Sequence, residues 1–296
     1  MDQKKPASSE QKKPASLAQN KLYHACYNFM RSDSLDLPTI PDVSFKIQRV
    51  INDSAANNNK IARVVQMDPS ITARLIKVSN SPLYRGRRKI ESCPEALTRL
   101  GLQSAQQIIT TLALKSVFNA KSPVIRKKMQ ELWQHSSYVA AISAVLAHKT
   151  PGFDPDKAML AGLIHDIGIL PILAYADKQP DILAKPRDLT ETVRQLRVQI
   201  GVQILNKWDF HEDFENVIIH SENWQRDDKP APDYADIVMI SQLHSYIGKI
   251  DPKKMPKLDD LPAYKKLVSG HLDADISINI LDQAKDEIND IQKLLA

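Results

Sequence analysis

The sequence predicts an all-α fold, a bundle of many helices. Three observations lead there. Only 8 of the 296 residues are glycine, about 3% against a usual ~7%, too few for most turn-rich β folds. Several helix-opening signatures recur, each a capping residue followed by an early proline. No stretch shows the strict apolar–polar alternation of a half-buried strand. The Rossmann and phosphate-loop glycine motifs are also missing, which removes two common nucleotide folds.

The elements follow in order. Residues 1–18 form a Lys/Pro/Ser tail with a short direct repeat, Gln3–Ser8 and Gln11–Ser16. No bulky apolar residue lies between Met1 and Leu17, so little surface is available to offset ordering entropy, and a disordered tail is expected. A weak tether to an anionic surface is the alternative. Leu17 to Arg31 has helical apolar spacing. Leu37-Pro38-Thr39-Ile40-Pro41 reads as extended, because a residue before proline avoids the α region. Val43, Ile47, Val50 and Ile51 share one helical face, and Ile61, Val64 and Val65 another. Asp68-Pro69 opens a helix through Val78. Ser92-Cys93-Pro94-Glu95 is a capping box before a short helix that Gly101 stops. A longer helix carries Ile108, Ile109, Leu112 and Val117.

Ser122-Pro123 then opens a long helix to about His148. Asp154-Pro155 opens one expected to run through Leu173. Thr190 is expected to cap a helix through Trp208, and further helices fall at about 212–224 and from Tyr234 to Ile247. A Lys/Pro-rich loop, Lys249 to Pro256, precedes two terminal helices. The expected organisation is a tail (1–18), a helical domain (19–248) with a soft boundary near 120–123, and a C-terminal helical extension (249–296).

Within this frame His165-Asp166 is the sharpest chemical feature. The pair interrupts an apolar stretch, Ala161 to Leu170, and a buried polar group is costly unless partnered. An imidazole nitrogen and a carboxylate oxygen together suit zinc, iron or manganese. The plain alternative is a His–Asp pair that ties helices together. His135, in the preceding long helix, bears on that choice. It lies about 13 residues before the end of its helix, and His165 about 11 after the start of the next. At ~1.5 Å per residue the two reach similar heights on antiparallel neighbours.

His135 followed by His165-Asp166 in an all-α chain resembles the HD phosphohydrolase superfamily. The surrounding blocks resemble its HDOD branch, a divergent group related to the HD-GYP cyclic-dinucleotide hydrolases. These blocks are Leu37–Pro41, Asp68–Leu75, Val78–Tyr84, Ile90-Glu91-Ser92, Glu95-Ala96-Leu97 and Leu100-Gly101, then Gly201, Leu205, Trp208 and His220. The likeness spans about residues 20–248. It implies a bacterial regulatory module with a metal site, His135, His165 and Asp166, that would hold iron, manganese, zinc or nickel. It also marks departures. The distal position that a catalytic member fills with Asp holds Gln242, and Asp236 lies six residues away on another face. Ile169 stands where the hydrolases carry Lys, and Arg197 where the HDOD branch often has His. Later paired histidines are reduced to His220-Ser221. A hydrolase needs a metal-activated water and cations for phosphate. The thinned set therefore favours binding over turnover, with a metal-dependent phosphohydrolase and a metal-free scaffold as the alternatives.

Net charge is +5 and pI about 9.0, mild for a nucleic-acid binder, and no base-reading helix-turn-helix stands out. The cations cluster between Lys60 and Lys89, ending in Arg85, Arg87, Arg88 and Lys89. With Arg197 and His220 these are candidate contacts to a signalling protein or a phosphorylated small ligand; a solvated surface is the plain reading. Trp133, Trp208 and Trp224 read as core, and His24, His148, His211, His244 and His271 stay unassigned. Cys26 and Cys93 fit a reducing cytoplasm. No unbroken apolar run approaches ~18 residues, and no secretory leader is evident, so a cytoplasmic protein with no membrane contact is expected.

Overall fold

The computed structural model describes residues 20–32, 37–51, 58–84, 86–179, 185–270 and 284–295. Arg85, His271 and the tail repeat lie outside the described residues. Among the described residues there is no strand. The helices are α1 (Lys21–Arg31), α2 (Asp42–Ile51), α3 (Asn58–Gln66), α4 (Pro69–Ser79), α5 (Cys93–Leu100), α6 (Leu102–Ala113), α7 (Pro123–Lys149), α8 (Pro155–Ile164), α9 (Ile169–Asp177), α10 (Pro186–Lys207), α11 (Glu212–His220), α12 (Tyr234–Ser245), α13 (Pro262–Gly270) and α14 (Lys285–Leu295).

Local chemistry sets several helix starts. Asp68 accepts from the amides of Ser70 and Ile71, Ser122 from Ile125, and Asp154 from Asp156 and Lys157. Each satisfies amides that the first helical turn leaves without a partner. Ser92 caps α5, but Glu95 closes the box on the Glu91 amide (3.1 Å). α10 begins at Pro186 without a side-chain cap, whereas Thr190 sits inside the first turns and bonds back to the Pro186 carbonyl. A proline at the first position suffices to start the helix there.

The long α7 is the spine. α8 lies along it, with α9, α12 and α14 also against it. Helices α2 to α6 pack among themselves, and α6 joins them to α8. The chain crosses between these groups near 120–123, where the Lys121 and Ser122 amides donate to Asp177 (2.8 and 3.0 Å). In the extended segment before α2, the Pro38 carbonyl accepts from Trp208 Nε1 (2.9 Å). Asn80 bonds the carbonyl and amide of Ile90 (both 2.8 Å), pinning the loop that follows α4.

One departure from expectation matters for the site. The apolar stretch from Asp154 is not one helix. α8 stops at Ile164, residues 165–168 form a turn, and α9 restarts at Ile169. Pro155–Asp177 has the length and composition of a membrane span, yet it is mostly buried within the fold. Two glycines allow the close approaches around the turn. A Cβ on Gly162 would meet the Ala140 Cα at 2.8 Å, and one on Gly168 would meet the Arg197 carbonyl at 1.9 Å. Both are far inside van der Waals contact, so α8 can press on α7, and the turn on α10, only with glycine at these positions.

Candidate metal centre

His135 projects from the middle of α7, and His165 and Asp166 from the turn after α8. The structure brings the three together. His135 Nε2 lies 3.3 Å from His165 Nε2. Asp166 Oδ2 lies 3.3 Å from His165 Nε2 and 3.9 Å from His135 Nε2. The His165 side chain is fully buried, and those of Asp166 and His135 are 8% and 21% exposed. His165 Nδ1 faces the Gly162 carbonyl at 2.7 Å. Donating there fixes the tautomer and turns the Nε2 lone pair toward the centre, an arrangement common among metal-bound histidines.

The donor set fits one divalent ion. Bonds of ~2.0–2.1 Å in a tetrahedral arrangement place ligand atoms about 3.3–3.4 Å apart, and two of the three edges match. Two imidazoles and one carboxylate suit zinc, iron, manganese or nickel.

Electrostatics ties the cluster to a fourth residue. Arg197 of α10 donates to Asp166 Oδ1 through one guanidinium nitrogen and pairs with Glu222 through another. Burial alone would push the Asp166 carboxyl up, but His165, Arg197 and His135 hold it well below the usual carboxylate range. Burial opposes charge on His165, and the charge and hydrogen bond of Asp166 override it, so its pKa is raised. His135 is driven down to about 4, by burial first and then by the charge of His165. One imidazole is thus ready to carry a proton beside Asp166 and the other to stay neutral.

Beyond this shell, Tyr246 stacks on His135 with ring centroids 5.8 Å apart and planes 6° from parallel. Gln242 is buried on α12. Its Nε2 donates to Tyr246 Oη (2.8 Å) and to Glu222 Oε1 (3.2 Å), and its Oε1 is buried without a hydrogen-bond partner. Glu222 and Tyr246 escaped the sequence reasoning. The signal for Glu222 lay in plain view, two residues after His220, but only long-range packing brings it to Arg197.

Other residues singled out earlier lie elsewhere. His220 is half-buried near Arg226 and Asp228, with its pKa lowered by burial and by the Arg226 charge, and it belongs to that second cluster. Asp236 is also there, paired with Lys266 at 2.7 Å. Arg87, Arg88 and Lys89 are exposed. Arg88 meets Glu95 at 3.0 Å, an acid three-dimensionally close though not adjacent in sequence.

The model of the HDOD domain family matches residues 37–224. The chain belongs to the HDOD family. This HDOD protein is also similar to solved structures. One, from Shewanella amazonensis and named as a candidate metal-dependent phosphohydrolase, is 26% identical. It covers 93% of this chain and 98% of its own, with a TM-score of 0.80. Another, an HDOD domain protein from Geobacter sulfurreducens, is 22% identical. It covers 94% of this chain and 98% of its own, with a TM-score of 0.69, and shares the fold. A Treponema pallidum protein is 22% identical over 205 residues, covering 64% of this chain and 38% of its own. The chain spans about two fifths of the length of the curated relatives it matches.

Proposed function

We propose that this HDOD protein is a cytoplasmic regulatory module that works by binding a protein or a phosphorylated ligand, with a reduced metal site at His135, His165 and Asp166. The observation that carries this reading is Arg197. Its guanidinium takes one oxygen of Asp166 and one of Glu222, so two carboxylates near the centre are committed to a fixed cation. Only Asp166 Oδ2 remains turned toward the imidazoles. Gln242 adds a neutral amide where hydrolases of the superfamily place an acid, and Ile169 removes a phosphate-binding cation. The buried free thiols of Cys26 and Cys93 agree with a reducing compartment.

A second reading has its own support. The two imidazoles and the free carboxylate oxygen fit one ion, and a similar Shewanella protein is named for metal-dependent phosphohydrolase chemistry. His135, His165 and Asp166 would hold the ion, which would supply Lewis acidity and a bound water of lowered pKa. Arg197, fixed beside Asp166, would orient that carboxylate and compete for its charge.

The test pairs metal analysis of protein purified without chelator with turnover assays on phosphodiesters and nucleotides in added manganese, iron or nickel. The expected result is at most one ion per chain and no turnover above buffer. Robust turnover that disappears in both His165→Ala and Asp166→Ala would establish the hydrolase instead.

A further inference from the structure

A second cleft lies on the opposite side of α7 from the His165 centre. It is bounded by α7, α14 and the segment after α6, and has a volume of about 740 Å³, within the range of small-ligand sites. We propose that this cleft binds a small anion carrying a planar heterocycle, the chemistry of a nucleotide.

The α7 wall is a single stripe. Arg126, Gln130, Trp133, Gln134 and Ser137 all line the cleft, and their spacing of 4, 7, 8 and 11 residues places them on one helical face. His135, one residue from Gln134, is turned ~100° away, which is how one helix serves two separate sites. From α14, Asn289, Gln292 and Lys293 face the stripe at helical spacing. The opposite face of α14 is apolar and buried through Ile288, Ile291, Leu294 and Leu295, so the polar wall is held in place by packing.

The lining has a specific chemistry. It contains three cations, Lys115, Arg126 and Lys293, and no carboxylate. Arg126 is braced by the carbonyls of Ala120 and Lys121 (3.3 and 2.9 Å). Lys293 meets an exposed partner, Asp290, at 3.4 Å. An anion is therefore the favoured occupant. The floor is aromatic, with Phe118 and Trp133 packed edge to face at a centroid distance of 4.9 Å. A planar ring can stack on such a surface.

Five carboxamides, Asn119, Gln130, Gln134, Asn289 and Gln292, line the cleft around this floor and can read the edge of a heterocycle as donors and acceptors. Beneath them Ser137 is 5% exposed, and its hydroxyl is buried with no hydrogen-bond partner. A buried hydroxyl left without a partner is costly, and here it lies in the wall of a cleft where a ligand can satisfy it.

The test is calorimetric titration of the full chain with AMP, GMP, CMP and UMP, the matching nucleosides, and inorganic phosphate. Chelator is present throughout, so a metal at the His165 centre cannot contribute, and a null result here leaves the metal and turnover assays above to decide the proposed function separately. At least one nucleotide is expected to bind with Kd near or below ~100 µM, at least about tenfold tighter than its nucleoside and than phosphate. Gln130→Leu and Lys293→Glu change exposed positions and should each weaken binding at least about tenfold with an unaltered circular dichroism spectrum. No binding at ~1 mM, phosphate binding as tightly as every nucleotide, or binding that survives both substitutions would overturn the proposal.

Discussion

Two buried charge clusters flank α12, and they are built differently. At the Arg226 cluster, cations and acids alternate without a gap. Arg226 forks onto Asp233 with two 2.7 Å contacts and reaches Asp228 at 2.7 Å, while Lys266 meets Asp236 at 2.7 Å. Asp236 also closes a capping box with Asp233 at the start of α12. At the His165 cluster, one acid faces two imidazoles and an arginine, and two ring nitrogens stand 3.3 Å apart. The two imidazoles there hold lone pairs that a proton or a metal can share with Asp166, whereas the acids of the Arg226 cluster meet a guanidinium and an ammonium, which have none, and among the described residues His220 is that cluster's single imidazole. A network whose acids are each paired with a fixed cation reads as structural. A network that ends in imidazole lone pairs can accept a ligand.

If that contrast holds, breaking the Arg226 cluster should cost the most stability. Asp236→Ala removes the acid that Lys266 meets at 2.7 Å and one of the acids around Arg226. Removing one partner of a buried pair typically costs ~3–5 kcal/mol. The expected outcome is a loss of that order in urea unfolding, with metal binding unchanged in any variant that stays folded. A loss below ~1 kcal/mol would show that water reaches these charges.

Arg197 sharpens the other side. Arg197→Met keeps most of the side chain's volume and frees Asp166 Oδ1 and Glu222. Residues next to a metal ligand commonly shift affinity by 10–100-fold, and here the freed carboxylate should raise it by that factor. Zinc or manganese titration of the variant against the parent chain measures this directly. Unchanged or weaker metal binding would mean that Arg197 orients Asp166 for the ion instead of competing with it.

The sequence made some of this legible for local reasons. Asp68, Ser92, Ser122 and Asp154 act within three residues of themselves, so their caps are written in the chain. Counting residues along two antiparallel helices was enough to bring His135 level with His165. The break at 165–168 was hidden because apolar residues continue on both sides of it, Leu163-Ile164 before and Ile169-Leu170 after, with no proline to mark it. Gly168 keeps helical dihedrals (φ −66°, ψ −11°), and its need for a bare Cα comes from Arg197, 29 positions away. Arg197 was visible as an exception to a family pattern, but its carboxylate partners come from the turn after α8 and the segment after α11. Lys266, which neutralises Asp236, lies in the C-terminal extension beyond the matched family region. These are side-chain contacts across long loops, and no local pattern encodes them.

Asp156 supplies the limiting case, a buried acid with no cation among its described partners. It is 3% exposed, and Tyr84 donates to its Oδ1. Burial pushes its carboxyl up from 3.8 to about 6, and the Tyr84 and Ser104 hydrogen bonds only partly oppose this. The sign follows from linkage. Below the ordinary value of 3.8 the group is protonated in both folded and unfolded chains and contributes no difference. Between 3.8 and about 6 the unfolded chain has released its proton while the folded one keeps it, so stability falls as pH rises. Above about 6 the folded chain carries the charge at a constant cost, on the order of 3 kcal/mol at 1.36 kcal/mol per pKa unit. Asp156→Asn never ionises and can still accept from Tyr84. It should therefore match the parent chain near pH 4 and exceed its stability by that amount at pH 8. Urea midpoints for the two proteins across this range check the prediction. A constant offset would assign the effect to packing, and a parent chain that is the more stable one at pH 8 would show that the Asp156 carboxylate is stabilised in place, as Asp166 is by Arg197.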